Sequence, residues 1–115
     1  MAISEFEIKR CEKELEKFLV QHRPPVEVRN QVDLAYRINK QSVEVFEVSP
    51  KFGASTELIE NKIAKATYVK SQKLWKVYWQ RSDSKWHIYE PYPTTKSLED
   101  FLELVGDDSH ACFFG

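Results

Sequence analysis

The stretch IAKATYVKSQKLWKVYWQR, residues 63–81, decides the fold. Apolar and polar side chains alternate along it with a period of two, the mark of strands with one buried and one wet face. Residues 63–71 and 74–81 read as an antiparallel hairpin turning at Gln72-Lys73. That turn sets Tyr68 opposite Val77 and Ala66 opposite Trp79. One face then holds Ala64, Ala66, Tyr68, Trp75, Val77 and Trp79. The other holds Lys65, Thr67, Lys76, Tyr78 and Gln80.

Toward the C-terminus, Trp86 through Glu90 reads as the next strand. Opposed residues of an antiparallel pair share a face, so loop parity decides which side chains are buried. An even loop lets Trp79 share a face with Trp86 and Ile88, sets Tyr78 opposite Tyr89 and sets Gln80 opposite His87. A three-residue loop would put Trp79 opposite His87 instead. Pro91 and Pro93 are expected to end the sheet. Ser97 then caps a helix with acidic residues in its first turn, an apolar stripe of Leu98, Phe101, Leu102 and Val105, and Gly106 as its stop. The aromatic tail that follows, ending Phe113-Phe114-Gly115, is expected to dock on the body.

Toward the N-terminus, Val32, Leu34, Tyr36 and Ile38 alternate with polar residues. A turn at Lys40-Gln41 sets Ile38 opposite Val43 and Tyr36 opposite Val45, apolar against apolar. Ser49-Pro50-Lys51-Phe52-Gly53 should close this hairpin, leaving a loop to about Glu60. At the start, Ser4 and Glu7 form a capping box, with Ile3 and Ile8 as a staple. Ile8, Cys11, Leu15, Phe18, Leu19 and His22 give that helix one apolar face, and Pro24-Pro25 stops it. The expected fold is therefore α+β: a single antiparallel sheet of about five strands, flanked by an N-terminal and a C-terminal helix.

A chain of 115 residues with 42% hydrophobic and 30% charged side chains excludes disorder and reads as one domain spanning residues 1–115. No apolar run reaches the ~20 residues of a membrane helix. The first residues lack the basic and apolar regions of a signal peptide, so the expected location is cytoplasmic, with no membrane partner. Cys11 and Cys112 make no disulfide framework. The three glycines, Gly53, Gly106 and Gly115, are too scattered for a phosphate-cradling loop.

Net charge is −1, but it is unevenly spread. Residues 62–96 carry Lys62, Lys65, Lys70, Lys73, Lys76, Arg81, Lys85 and Lys96 against Asp83 and Glu90. Residues 97–115 carry acidic side chains and no Lys or Arg. Such a basic middle either balances the acidic end across the fold or forms a patch for a polyanion.

Three constellations could carry function. The first is a nucleic-acid-binding face of Lys65, Lys76, Tyr78, Arg81, His87 and Tyr89, where rings stack on bases and cations neutralise phosphates. The plain alternative is a wet sheet face, where tyrosine is common through strand propensity. The second is a metal site at His110 and Cys112, whose types suit zinc but which supplies two ligands where four are wanted. The third is a Cys112 nucleophile with His87 or His110 as base, disfavoured by the apolar neighbours of the thiol.

Leu74 through Trp79, Lys85 through Tyr89, the helix from Leu98 to Leu102 with Val105, Asp108, and the Cys112-Phe113-Phe114-Gly115 ending resemble a family of short bacterial proteins defined only as a domain of unknown function. The resemblance covers the chain from about Lys62 onward. It implies a bacterial cytoplasmic protein and carries no activity. Tyr92-Pro93 before Ser97-Leu98 is also similar to the turn and helix that follow the Trp-containing sheet in arm domains of phage-type integrases, though basic residues are fewer here.

The sequence thus points to a non-enzymatic binding or interaction module without cofactor. A nucleic-acid-binding module is the alternative, and a small metal- or thiol-dependent enzyme the second. A protein partner or a homodimer through the N-terminal helix or an edge strand such as 32–39 fits the first reading.

Overall fold

The computed structural model describes residues 4–51, 54–81 and 83–108. Helix α1 spans Glu5–His22, and a short 3₁₀ turn, Val26–Val28, leads into the sheet. Its strands are β1 (Asp33–Asn39), β2 (Ser42–Lys51), β3 (Ala54–Val69), β4 (Leu74–Gln80), β5 (Trp86–Ile88) and β6 (Thr94–Thr95), and α2 spans Leu98–Asp107. The sheet is antiparallel throughout in the order β1-β2-β3-β4-β5, with β6 also pairing β4. The fold is α+β, with two helices flanking five main strands and a sixth.

Ser4 accepts a bond from the Glu7 N–H at 3.3 Å, as the capping box requires. The partner expected for Ile8 in the staple, Ile3, lies outside the described residues. Cys11, Leu15 and Phe18 are the buried residues of α1. The helix ends where Arg23 turns extended ahead of Pro24, a conformation proline imposes on its predecessor. The Arg23 guanidinium then grips both Asp33 carboxylate oxygens, at 2.8 and 2.7 Å, tying the end of α1 to the start of β1.

The β1–β2 hairpin has the expected register, with Ile38 opposite Val43 and Tyr36 opposite Val45. Beyond it, the loop expected up to Glu60 is strand: Ser49 faces Ile59 and Pro50 faces Leu58. Pro50 is tolerated because β1 begins at Asp33, opposite Val48. Past that point β2 is an edge, and a proline nitrogen there has no ladder bond to lose. A bulge sets Val45 against Ala64 but Phe46 against Lys62, so Ile63 is the extra residue. Ile63 and Ala64 both join the core.

Two registers differ from expectation. Tyr68 faces Trp75, Ala66 faces Val77 and Ala64 faces Trp79, two residues from the expected pairing. The turn takes residues 70–73, with Lys73 at φ 53°. A slip of two keeps every side chain on its face. On the far side of β4, Tyr78 faces Ile88, Trp79 faces His87 and Gln80 faces Trp86. That is a slip of one, and it exchanges the faces of the whole strand. The cause is an odd loop, residues 81–85, closed by the Arg81 N–H on the Lys85 carbonyl and by the Asp83 carboxylate on the Lys85 N–H. Pro91 and Pro93 redirect the sheet rather than end it: the Pro93 carbonyl accepts the Val77 N–H at 2.9 Å, and Thr94 and Thr95 pair with Lys76 and Trp75.

Ser97 caps α2 by accepting the Asp100 N–H at 3.1 Å. Gly106 is inside this helix, not its stop; the chain turns left-handed at Asp108, φ 44°. A Cβ on Gly106 would lie 2.8 Å from His22 Nε2, so the glycine admits the ring that His22 stacks on Phe18.

Both helices lie on one side of the sheet. α1 contacts β1 and α2, and α2 contacts β3, β4 and β6. Under them Val43, Val45, Ala64, Ala66 and Val77 are fully buried, together with Leu15, Phe101 and Val105. Among the described residues, neither helix reaches the other face.

Candidate functional site

The open face is built by alternate residues of five strands. Arg37, Glu44, Lys65, Tyr78 and Ile88 form one row across β1 to β5, each directly opposite the next. Ser42, Thr67 and Lys76 form a second row, in which the Ser42 and Thr67 hydroxyls bond at 2.9 Å. Phe46 and Trp86 sit on the same face by parity, against Lys62 and Gln80.

Cations lie over rings at both ends of the first row. Lys65 Nζ is 5.1 Å from the centre of the Tyr78 ring and 5.3 Å from that of Trp86. Arg37 and Lys62 cover Phe46 from 4.8 and 5.2 Å, leaving that ring buried. Arg37 and Lys62 are also ion-paired: Arg37 with Glu60 at 2.6 Å, and Lys62 with Glu44 and Glu60 at 3.1 Å each. The bond from Arg37, with help from Lys62, holds the Glu60 carboxyl below the ordinary range. The end of the face near β1 is therefore neutralised internally. At the β4–β5 end Lys65 lies over half-buried rings, and Lys76 is exposed.

Of the residues nominated for a nucleic-acid face, Lys65, Lys76 and Tyr78 stand together on it. Tyr89 does not: it is fully buried on the helix side, its N–H donated to the Val77 carbonyl at 2.9 Å. His87 follows Tyr89 to the helix side, opposite Trp79, and its Nε2 is 2.9 Å from the Asp83 carboxylate. Arg81 lies over the Trp79 ring at 5.6 Å, on the helix side of the strand and off the open face. The slip of one between β4 and β5 removes Tyr89 and His87 and brings Trp86 and Ile88 to the open face. Phe46, Arg37 and Lys62 were also missed. The alternation of β1 and β2 signals Arg37 and Phe46, whereas Lys62 reaches the face only past the bulge.

His110 and Cys112 lie outside the described residues. Among the described residues no three His, Cys, Asp or Glu side chains gather as metal ligands. Cys11 lines a cleft of about 310 Å³ between α1, the start of α2 and the β3–β4 turn. Burial, reinforced by Glu7, pushes its thiol up to about 11, far from a neutral-pH nucleophile.

A model of the family described as Domain of unknown function (DUF3024) matches residues 3–115. The chain belongs to that family. No curated protein and no solved structure matches it. The DUF3024 match extends over both hairpins and both helices, so the first half, with β1, β2 and their Arg37–Glu44–Phe46 cluster, is as much part of the domain as the Trp-rich second half.

Proposed function

We propose that this DUF3024 chain is a non-enzymatic binding module whose ligand, single-stranded nucleic acid, lies on the open face at the β4–β5 end. The observation that carries the reading is Lys65 set between Tyr78 and Trp86 on a face no described helix covers. A base stacking on either ring takes the place of the lysine head, which then meets the adjoining phosphate. Lys76 extends the cationic track, and Ile88, exposed beside Tyr78, offers an apolar contact. Stacking contributes roughly 1–3 kcal/mol per base and is tolerant of sequence. Each phosphate neutralised on a single strand steepens the fall of log K with log salt by about 0.7. On the resemblance to short bacterial proteins, we assign the module to a bacterial cytoplasm; no described helix is long and apolar enough to cross a membrane.

The test is tryptophan fluorescence during titration with oligothymidylate and with a duplex of equal length, at several salt concentrations. Trp86 is the reporter on the open face, since Trp75 is buried and Trp79 lies on the helix side. The expected result is quenching by the single strand that weakens steeply with salt and is lost in Trp86→Phe. Lys65→Ala and Tyr78→Ala should each weaken binding about tenfold. Absence of quenching at low salt, or binding indifferent to both variants, overturns the reading.

A further inference from the structure

Among the described residues β1 pairs with β2 alone, so its other side is a sheet edge. Asn39 and Ser42 close a two-residue turn, and the pair closing such a turn exchanges its backbone bonds. Parity then turns the N–H and C=O groups of Leu34, Tyr36 and Ile38 outward, to that edge. The bond from the Tyr68 N–H to the Gln41 carbonyl, 2.8 Å, agrees, since it turns the odd residues of β2 toward β3.

We propose that this edge is the seam of a homodimer, in which β1 of two copies pairs antiparallel about a two-fold axis through Ala35. The strand is self-complementary in that register. Asp33 of each copy stands opposite Arg37 of the other, in the closely spaced class of pair where side chains interact best. The small Ala35 meets itself on the axis. On the helix side Leu34 meets Tyr36; Val32, just before the strand and with its N–H held by the Val28 carbonyl at 3.0 Å, comes opposite Ile38 through its carbonyl and side chain. An axis through Tyr36 would instead set Asp33 against Asn39 and Ala35 against Arg37, and lose both ion pairs.

At Leu34, Asp33 and Arg37 the monomer already supplies partners, so at these groups the two states exchange bonds rather than create them. The Leu34 N–H now donates to the Asp33 carboxylate at 2.8 Å, and Arg23 grips the same carboxylate. In the dimer that N–H meets the Tyr36 carbonyl across the seam, and the carboxylate turns to Arg37. The Arg23–Asp33 fork thereby acts as a guard on the edge, one of the ways native sheets limit strand addition. A two-fold axis of this kind runs normal to the sheet. Both open faces consequently fall on the same side of one continuous sheet.

Sedimentation velocity over a concentration series tests the proposal. The mass should rise toward twice that of the chain. Ala35→Lys sets like charges directly opposite each other and should weaken the dimer about tenfold or more. Asp33→Arg and Arg37→Asp should each do the same, whereas the double variant, which restores opposite charges across the seam but not within the monomer, should regain dimerisation. A measurement free of variants is hydrogen exchange of the natural chain: the Tyr36 and Ile38 N–H groups should gain protection as concentration rises. A monomer at every concentration, a dimer unmoved by Ala35→Lys, a double variant weaker than both singles, or exchange independent of concentration would each overturn the seam.

Discussion

Ala66 and Thr67 are neighbours on β3, yet they belong to different environments. Ala66 is fully buried beneath the helices, flanked across the strands by Val43 and Val77. Thr67 points the other way, bonded to Ser42 and opposite Lys76. The same contrast runs along the sheet. At its centre the helix side is Val43, Val45, Ala64, Ala66 and Val77, small enough to let α1 and α2 seat their Leu and Phe side chains. The open side holds cations, carboxylates and rings in mutual contact. The covered side holds most of the apolar surface that folding removes from water, so it carries the stability. The open side contributes less to folding and is free to vary its chemistry.

The sharpest way to break this contrast is one lysine moved by one residue. Ala66→Lys would bury an ammonium under two helices, with an expected loss above about 4 kcal/mol, enough to unfold most of a marginally stable domain. Thr67→Lys gives up one hydroxyl bond and faces Lys76, for a loss under about 2 kcal/mol. It should also raise affinity for oligothymidylate. Urea denaturation of the two variants decides the matter: similar midpoints would mean that the faces are not as different as the burial pattern indicates.

The faces were legible in the sequence wherever only alternation mattered, and lost wherever a loop had to be counted. The β1–β2 register follows from apolar matching around Lys40-Gln41. The β3–β4 pairing moved by two residues because the turn takes residues 70–73, and the faces survived the change. The β4–β5 pairing moved by one, and two of the six nominated face residues, His87 and Tyr89, crossed to the helix side. Nothing in residues 81–85 announces an odd loop; Ser84 adopts φ 62° without being glycine or asparagine. Arg81 is two residues from Trp79, so alternation already sets it on the helix side, and its guanidinium lies over that ring; its charge was counted toward the open face without regard to parity. The bulge at Ile63 was similarly hidden, since a run of Ile63 and Ala64 reads as ordinary alternation with either one inward.

A smaller effect separates the two sides by pH. On the covered side, Cys11 has its thiol pushed up to about 11 by burial. The folded thiol keeps its proton where the unfolded one loses it, so the unfolded chain binds fewer protons above the ordinary thiol value of 9.0. Stability from this group is complete below that value and declines as pH rises toward 11. In a Cys112→Ser background, iodoacetamide should therefore label Cys11 only as fast as the protein opens, and denaturant should speed labelling strongly. Fast labelling of the native protein at neutral pH would show that α1 does not seal this side.

On the open side the sign reverses and the effect is smallest. Arg37 and Lys62 hold the Glu60 carboxyl below its ordinary range, and the Arg23 fork does the same for Asp33. Each folded carboxyl releases its proton more readily than its unfolded counterpart. Their contribution is present above the ordinary carboxylate values and is lost as pH falls through the lowered ones. Exposed pairs of this kind are also screened by salt. Arg37→Ala should accordingly flatten the acid limb of stability against pH at low salt, with little change at high salt and little change in the alkaline limb, where the raised Cys11 thiol and the raised Tyr36 hydroxyl titrate. If Arg37→Ala instead destabilised the protein as much as a core truncation at all pH values, its cover over Phe46 would be the dominant contact. The open face would then be a second core, held by cations lying on a buried ring, and the division between a side that folds and a side that binds would have to be redrawn at the Lys65–Tyr78–Trp86 end alone.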